Sequence, residues 1–161
     1  MKILAVDPGN VKSAYVLLID GEIKDKGICD NLNIGNVLCN LPKDTNIVIE
    51  SITSYGMAVG KTVFETCIWI GRFYEQACFY AATTPRLVYR KDIKMHFCNS
   101  PRAKDSNIRQ VMLDRYGEPG TKKAPGRTYG ISKDMWSALA IGTYYEDTTK
   151  HVCNVRTLTD D

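Results

Sequence analysis

No stretch of this 161-residue chain is apolar for long enough to cross a bilayer. The longest apolar runs, around CIWIG and ACFYAA, are separated by Arg72 and Glu75. At the N-terminus Asp7 interrupts the apolar residues too early for a signal peptide. A soluble, cytoplasmic protein with no membrane partner is expected. The six cysteines (Cys29, Cys39, Cys67, Cys78, Cys98 and Cys153) include no CxxC pair, and a chain of this length needs no staple to fold. They read as reduced thiols. His96-Phe97-Cys98 comes nearest to half a metal site, but no second ligand pair at the usual spacing completes it. Repeats and low-complexity tracts are also missing, so the prior is an ordinary globular domain.

A nucleotide site is excluded on spacing. GMAVGKT (56–62) imitates a phosphate-binding loop, yet only Met57, Ala58 and Val59 separate its glycines where four residues are needed. The DPG at 7–9 also opens the phosphate hairpin of sugar kinases and actin-like ATPases. Those enzymes close two lobes on a nucleotide, and this chain has length for one domain. No nucleotide cofactor is expected.

What is present is an uneven charge. The net formal charge is only +3, but between Arg86 and Lys133 twelve Lys/Arg face four Asp/Glu. A basic segment of this kind points to a polyanionic partner, nucleic acid first. Lys104, Arg109, Lys122, Lys123, Arg127 and Lys133 are the candidate phosphate contacts.

Periodicity outlines the fold. Residues 2–7 read as a strand, and 13–20 and 22–29 as a hairpin closed at Asp20-Gly21, which together make an antiparallel meander. A short helix over 31–42 precedes a buried strand at 46–51, a helix over 61–82 and a strand at 86–89. Helices follow at KDIKMHFC and at AKDSNIRQVMLDRYG, the latter capped by Gly117. A Gly/Pro-rich loop at 117–131 leads to a helix over 132–145, with Ser132 as N-cap and Asp134 in the first turn, and a polar tail begins at 148. The expectation is an α/β domain over 1–147: a five-stranded mixed sheet, β1-β2-β3 meander plus two parallel strands, with helices on both faces and a tail at 148–161.

Three acids stand at the ends of these elements: Asp7 closes the first strand, Glu50 the fourth, and Asp134 opens the last helix. If the two strands are parallel neighbours, both acids emerge at the carboxyl edge, where open α/β sheets bind ligands. Clustered carboxylates repel one another unless cations neutralise them, and an all-oxygen donor set suits Mg²⁺ or Mn²⁺. Two such ions supply the chemistry of phosphodiester hydrolysis without a nucleophilic side chain. In the loop after Glu50, Tyr55 and Met57 are placed to stack on or wedge apart bases.

VDPGNVKSAYVLL, IVIES and KDMWSALAIG, with VYRKDIKMHFCNSPRAKDSNIRQ between the last two, resemble the motifs of RuvC-type Holliday-junction resolvases of the ribonuclease H-like superfamily, in phage or bacterial form. The resemblance implies a Mg²⁺-dependent endonuclease, with Mn²⁺ able to substitute, that cuts branched DNA as a homodimer with two ions per site. It makes Asp7 the acid that bridges both metals, Glu50 the fourth-strand acid and Asp134 the first acid of a D-x-x-D-A-L-A helix. Ser137 stands where that motif has its second acid, leaving Ser137 a role through water and implying altered metal preference. The helix at 61–82 is the implied dimer interface through Trp69, Gly71, Phe73, Tyr74 and Ala77, residues that serve equally well as intramolecular core. A branched-DNA-binding module with weak or no catalysis is the alternative.

Overall fold

The computed structural model describes residues 1–54, 56, 58–80 and 84–156. Five strands form one sheet: β1 (Lys2–Asp7), β2 (Lys12–Ile19), β3 (Glu22–Asp30), β4 (Thr45–Ser51) and β5 (Arg86–Tyr89). Their order is β3-β2-β1-β4-β5. The first three pair antiparallel, while β4 runs parallel to β1 and β5 parallel to β4. The predicted Asp20-Gly21 turn forms with both residues at positive φ (51° and 77°), the twist that two-residue hairpins prefer.

Strand alternation sorts the core into two layers. Leu4, Val6, Ile47 and Ile49 face α1 (Asn31–Cys39) and α2 (Lys61–Tyr80), against Ile34, Leu38, Ile70, Phe73 and Ala77. Ile3, Ala5, Val48 and Val88 face the opposite way, onto α3 (Arg90–Cys98), α4 (Asp105–Tyr116) and α5 (Met135–Arg156). Helices therefore cover both faces, as expected. Among the described residues no helix is long and apolar enough to span a membrane.

Helix α1 ends at Cys39, short of the predicted Pro42, whereas Gly117 caps α4 as predicted, with φ 88° and its N–H donated to the Leu113 carbonyl at 2.7 Å. The last helix departs from expectation at both ends. Lys133 adopts a left-handed φ of 48°, which helical residues avoid, so the helix starts at Met135. Asp134 is then the residue before the helix rather than part of its first turn, and its carbonyl accepts the Ala138 N–H at 3.0 Å. At the far end α5 continues through Arg156, beyond the predicted stop at 145 and into the segment read as a tail. Lys150 bonds Glu146 one turn earlier at 2.9 Å. Asp147 accepts both guanidinium nitrogens of Arg115 from α4 at 2.7 Å and contacts His96 of α3 at 3.0 Å.

Helix α5 lies close on the sheet because Gly142 faces Ala5 and Leu18. A Cβ there would meet the Leu18 side chain at 3.0 Å and the Ala5 Cβ at 3.2 Å. Gly142→Val is expected to overpack this contact and destabilise the protein by about 1–3 kcal/mol, read by denaturant unfolding.

Candidate active site

Register brings the acids together. The β1–β4 pairing ends at Val6 opposite Ile49, so the next residues along the two parallel strands are Asp7 and Glu50. Both project to the face covered by α5, since Asp7 follows Ala5 and Glu50 follows Val48 in the alternation of that face. Glu50 lies opposite Val88 in β5, and Arg90, two residues beyond Val88, emerges on the same side. Its Nε stands 3.8 Å from Glu50 Oε1.

The turn that presents Asp7 is held from below. A Cβ at Gly9 would collide with the Lys12 carbonyl, so this position accepts only glycine. Buried Ser13 receives the Gly9 N–H at 3.2 Å and donates to Asn31 Oδ1 at 2.6 Å, and Asn31 returns its amide to the Gly9 carbonyl at 2.8 Å. Asn31 is the first residue of α1, so this helix locks the turn after Asp7.

Two clefts meet at Arg90. One, about 250 Å³, is lined by Asp7, Pro8, Glu50, Ile52, Thr53 and Arg90. The other, about 470 Å³, is lined by Arg90, Asp105, Arg109, Lys133, Asp134, Trp136 and Ser137 among others. Arg109 stacks over Trp136 at 5.2 Å. Asp134 is exposed on its loop, and Ser137 lies in the first turn of α5.

The expected cluster of three acids is thus a tight pair with a third acid at its edge. Asp7 and Glu50 face each other at the ends of adjacent parallel strands, close enough for each to affect the other's charge. Burial, then the Glu50 charge, pushes Asp7 up to about 8, with Asp134 adding in the same direction and Arg90 opposing it. Burial also raises Glu50, against the pull of Arg90. Among the described residues no three acidic, His or Cys side chains stand ready-made around one metal position. The donor chemistry nevertheless fits a hard divalent cation: two partly buried carboxylates of like sign face each other, with a third carboxylate nearby and no softer ligand.

The basic candidates divide. Arg109 and Lys133 line the larger cleft, and Lys104 precedes the first residue of α4, beside Asp105. Arg127 lies elsewhere: it donates to Glu22 Oε1 at 2.6 Å and to the Gly21 carbonyl at 3.2 Å, at the β2–β3 turn. That turn is at the opposite end of the sheet from Asp7, because Lys2 pairs with Ile19 and Asp7 with Ala14. Lys122 and Lys123 are exposed within the Gly120–Pro125 bridge of the same loop. Tyr55 and Met57 lie outside the described residues. Sequence reasoning missed Arg90, Ser13, Asn31 and Trp136. Arg90 carries a signal in hindsight, a cation at the alternation position after Val88, while Ser13 and Asn31 are found only through the tertiary contact.

The raised affinity of Asp7 for its proton makes metal-free stability depend on pH. Asp7 binds its proton more tightly folded than unfolded, so its contribution is complete below about pH 4 and is lost as pH rises through about 8. Asp7→Asn is expected to flatten that decline. In EDTA its melting temperature should exceed that of the parent by roughly 3 °C or more at pH 8.5, with the gap closing near pH 5.

No protein-family model matches the chain, and no curated protein matches it. Solved structures do. The structure of Thermus thermophilus RuvC aligns with a TM-score of 0.67 at 14% identity, covering 92% of this chain and 97% of that one. T. thermophilus RuvC in complex with Holliday junction substrate aligns with a TM-score of 0.69, also at 14% identity, covering 94% and 96%. The chain has a RuvC-like fold, an α/β architecture of the ribonuclease H-like type.

Proposed function

We propose that the protein is a metal-dependent endonuclease that cuts branched DNA, four-way junctions foremost. One observation carries the reading: on a RuvC-like fold, adjacent parallel strands force Asp7 and Glu50 against each other at the sheet edge that opens into the clefts. Such a pair is unfavourable for stability and is explained by a cation it has to hold. The similar T. thermophilus structure contains a Holliday junction substrate, which fits a cleft carrying Arg109, Lys133 and a half-shielded Arg90.

Two Mg²⁺ ions per site, replaceable by Mn²⁺, supply water activation and charge stabilisation at the leaving oxygen when bound. Asp7 and Glu50 would hold them. Asp134 would contribute from the α5 side, with Ser137 acting there through water. Arg109 and Lys133 position the DNA backbone in the larger cleft.

A homodimer places two such sites on the two strands of a symmetric junction. The expected interface residues Phe73 and Ala77 are buried within the protomer, and Trp69 and Tyr74 pack against that core. Phe64 and Ile68 on α2 are instead 60% and 62% exposed, and a Cβ on neighbouring Gly71 would meet nothing. This face is the dimer surface in the present reading.

Labelled four-way, three-way and linear duplexes in Mg²⁺ test the activity. The parent should cut the four-way junction at paired positions, and Asp7→Asn should lower the rate at least about a thousandfold while still shifting the junction on a gel. Binding without cutting by the parent would favour the non-catalytic module. Sedimentation should give a dimer for the parent and a monomer for Ile68→Glu, since an unpaired charge at an apolar interface costs several-fold or more in association.

A further inference from the structure

The segment joining α4 to α5 is more tightly built than a connection needs to be. Its closures are nested. Thr128, fully buried, donates its hydroxyl to the Gly117 carbonyl at 2.8 Å. Inside that bond the Gly126 N–H reaches the Pro119 carbonyl at 2.8 Å, and inside that again Thr121 and Ala124 exchange N–H···O bonds at 3.0 and 3.1 Å. A Cβ at Gly126 would collide with the Glu118 carbonyl, and one at Gly120 with the Ala124 carbonyl, so the two sides approach as closely as glycine allows. Arg127 ties the base of this hairpin to Glu22 and Gly21 and stacks over Tyr116 at 5.5 Å.

At the two-residue tip stand Lys122 and Lys123, both exposed. Turn geometry does not call for them: tight tips favour Gly, Asn or Asp, and adjacent ammonium groups repel. Among the described residues the lysines that pair with carboxylates are Lys12, Lys61, Lys94 and Lys150, so both tip charges stay available. From the tip the chain returns to the larger cleft beside β3. Arg127 lies at Glu22, Gly130 lies against Lys26, whose Cε would stand 3.5 Å from a Cβ there, and Ile131, Ser132 and Lys133 line the cleft itself. Lys26 and Lys133 thus mark a basic path between cleft and hairpin. The sheet sets its length: Ala14 pairs with Asp7, and from there β2 reaches Gly21 over roughly 23 Å at about 3.3 Å per residue. A duplex rising about 3.4 Å per base pair covers that distance in about seven base pairs.

We propose that the hairpin at 119–126 is a second DNA contact, where Lys122 and Lys123 grip phosphates of a duplex arm about seven to ten base pairs from the point cut in the cleft. The proposal rests on the branched-DNA nuclease reading. Two lysines fixed relative to the cleft suit a partner whose negative charges recur at a regular spacing, and they position that partner without reading its sequence. Arg127 takes no phosphate, because its guanidinium is used in anchoring the hairpin. The contact responds to the length of an arm, not to the branch.

Junctions with locally neutralised backbones test it. Cutting by the parent in Mg²⁺ first marks the point from which base pairs are counted. Four-way junctions with arms of about 16 base pairs then carry methylphosphonates in both strands, either about seven to ten base pairs out or about thirteen to sixteen out, and are bound in Ca²⁺ with intact DNA verified on the same gels. Neutralising the nearer window should weaken binding by the parent about tenfold, and the farther window less than about twofold. Lys122→Gln/Lys123→Gln should bind the native junction about tenfold more weakly, with a logarithmic salt slope shallower by about 1.8, and should lose less than about twofold more in the nearer window. Lys122→Arg/Lys123→Arg should behave as the parent. No loss in the parent, or equal losses in the parent and the glutamine variant, would overturn the hairpin contact, while cutting by the parent keeps the nuclease reading. A parent that binds junctions without cutting them overturns the nuclease reading, and the same windows counted from the branch point still decide the hairpin. A parent that binds no branched DNA overturns both.

Discussion

Everything at this edge of the sheet follows from two carboxyl groups held side by side. Asp7 and Glu50 are placed by the strands, not by loops, so neither can retreat: the register of β1 on β4 sets them side by side and the pleat turns both toward α5. Ordinary surface acids relieve such repulsion by rotating into water. Here the Gly9–Ser13–Asn31 hydrogen bonds fix the turn behind Asp7 and remove that escape. The molecule holds the unfavourable arrangement through the surrounding core, the usual situation when local frustration belongs to function.

Charge around this pair is graded rather than uniform. Arg90 offsets part of the negative potential on Glu50 from within the site, while Arg109 and Lys133 sit farther out in the larger cleft. Exposed Asp105, in which partial desolvation is outweighed by the hydrogen bond and charge of Arg90 so that it sits below the usual carboxylate range, keeps Arg90 from collapsing fully onto Glu50. Cation and acids stay close without neutralising each other, so charge of both signs remains at the site.

The sheet was legible because its signals are local. The Asp20-Gly21 turn, the alternation of Ile3, Ala5 and Asp7, and the apolar IVI before Glu50 each depend on a few neighbouring residues. Asp7 and Glu50 could be paired from strand ends alone. Helix α5 was misjudged at both ends for reasons outside its own pattern: a left-handed residue at Lys133 delays its start, and Asp147, bound by Arg115 and His96, carries it through the polar residues that follow. Basic residues were the least legible. Composition places Arg127 with Arg109 and Lys133, yet its partner Glu22 is more than a hundred positions away in sequence, beyond the reach of any local pattern.

The internal pairing of these cations bears on how the basic segment would meet a polyelectrolyte. Of its twelve Lys/Arg, four already face carboxylates: Arg90 and Lys94 on Asp105, Arg115 on Asp147 and Arg127 on Glu22. A charge neutralised within the protein displaces few condensed counterions when DNA arrives, and each displaced ion steepens the ionic-strength dependence by about 0.9 in logarithmic slope. The segment therefore offers a polyanion less free positive charge than its composition implies.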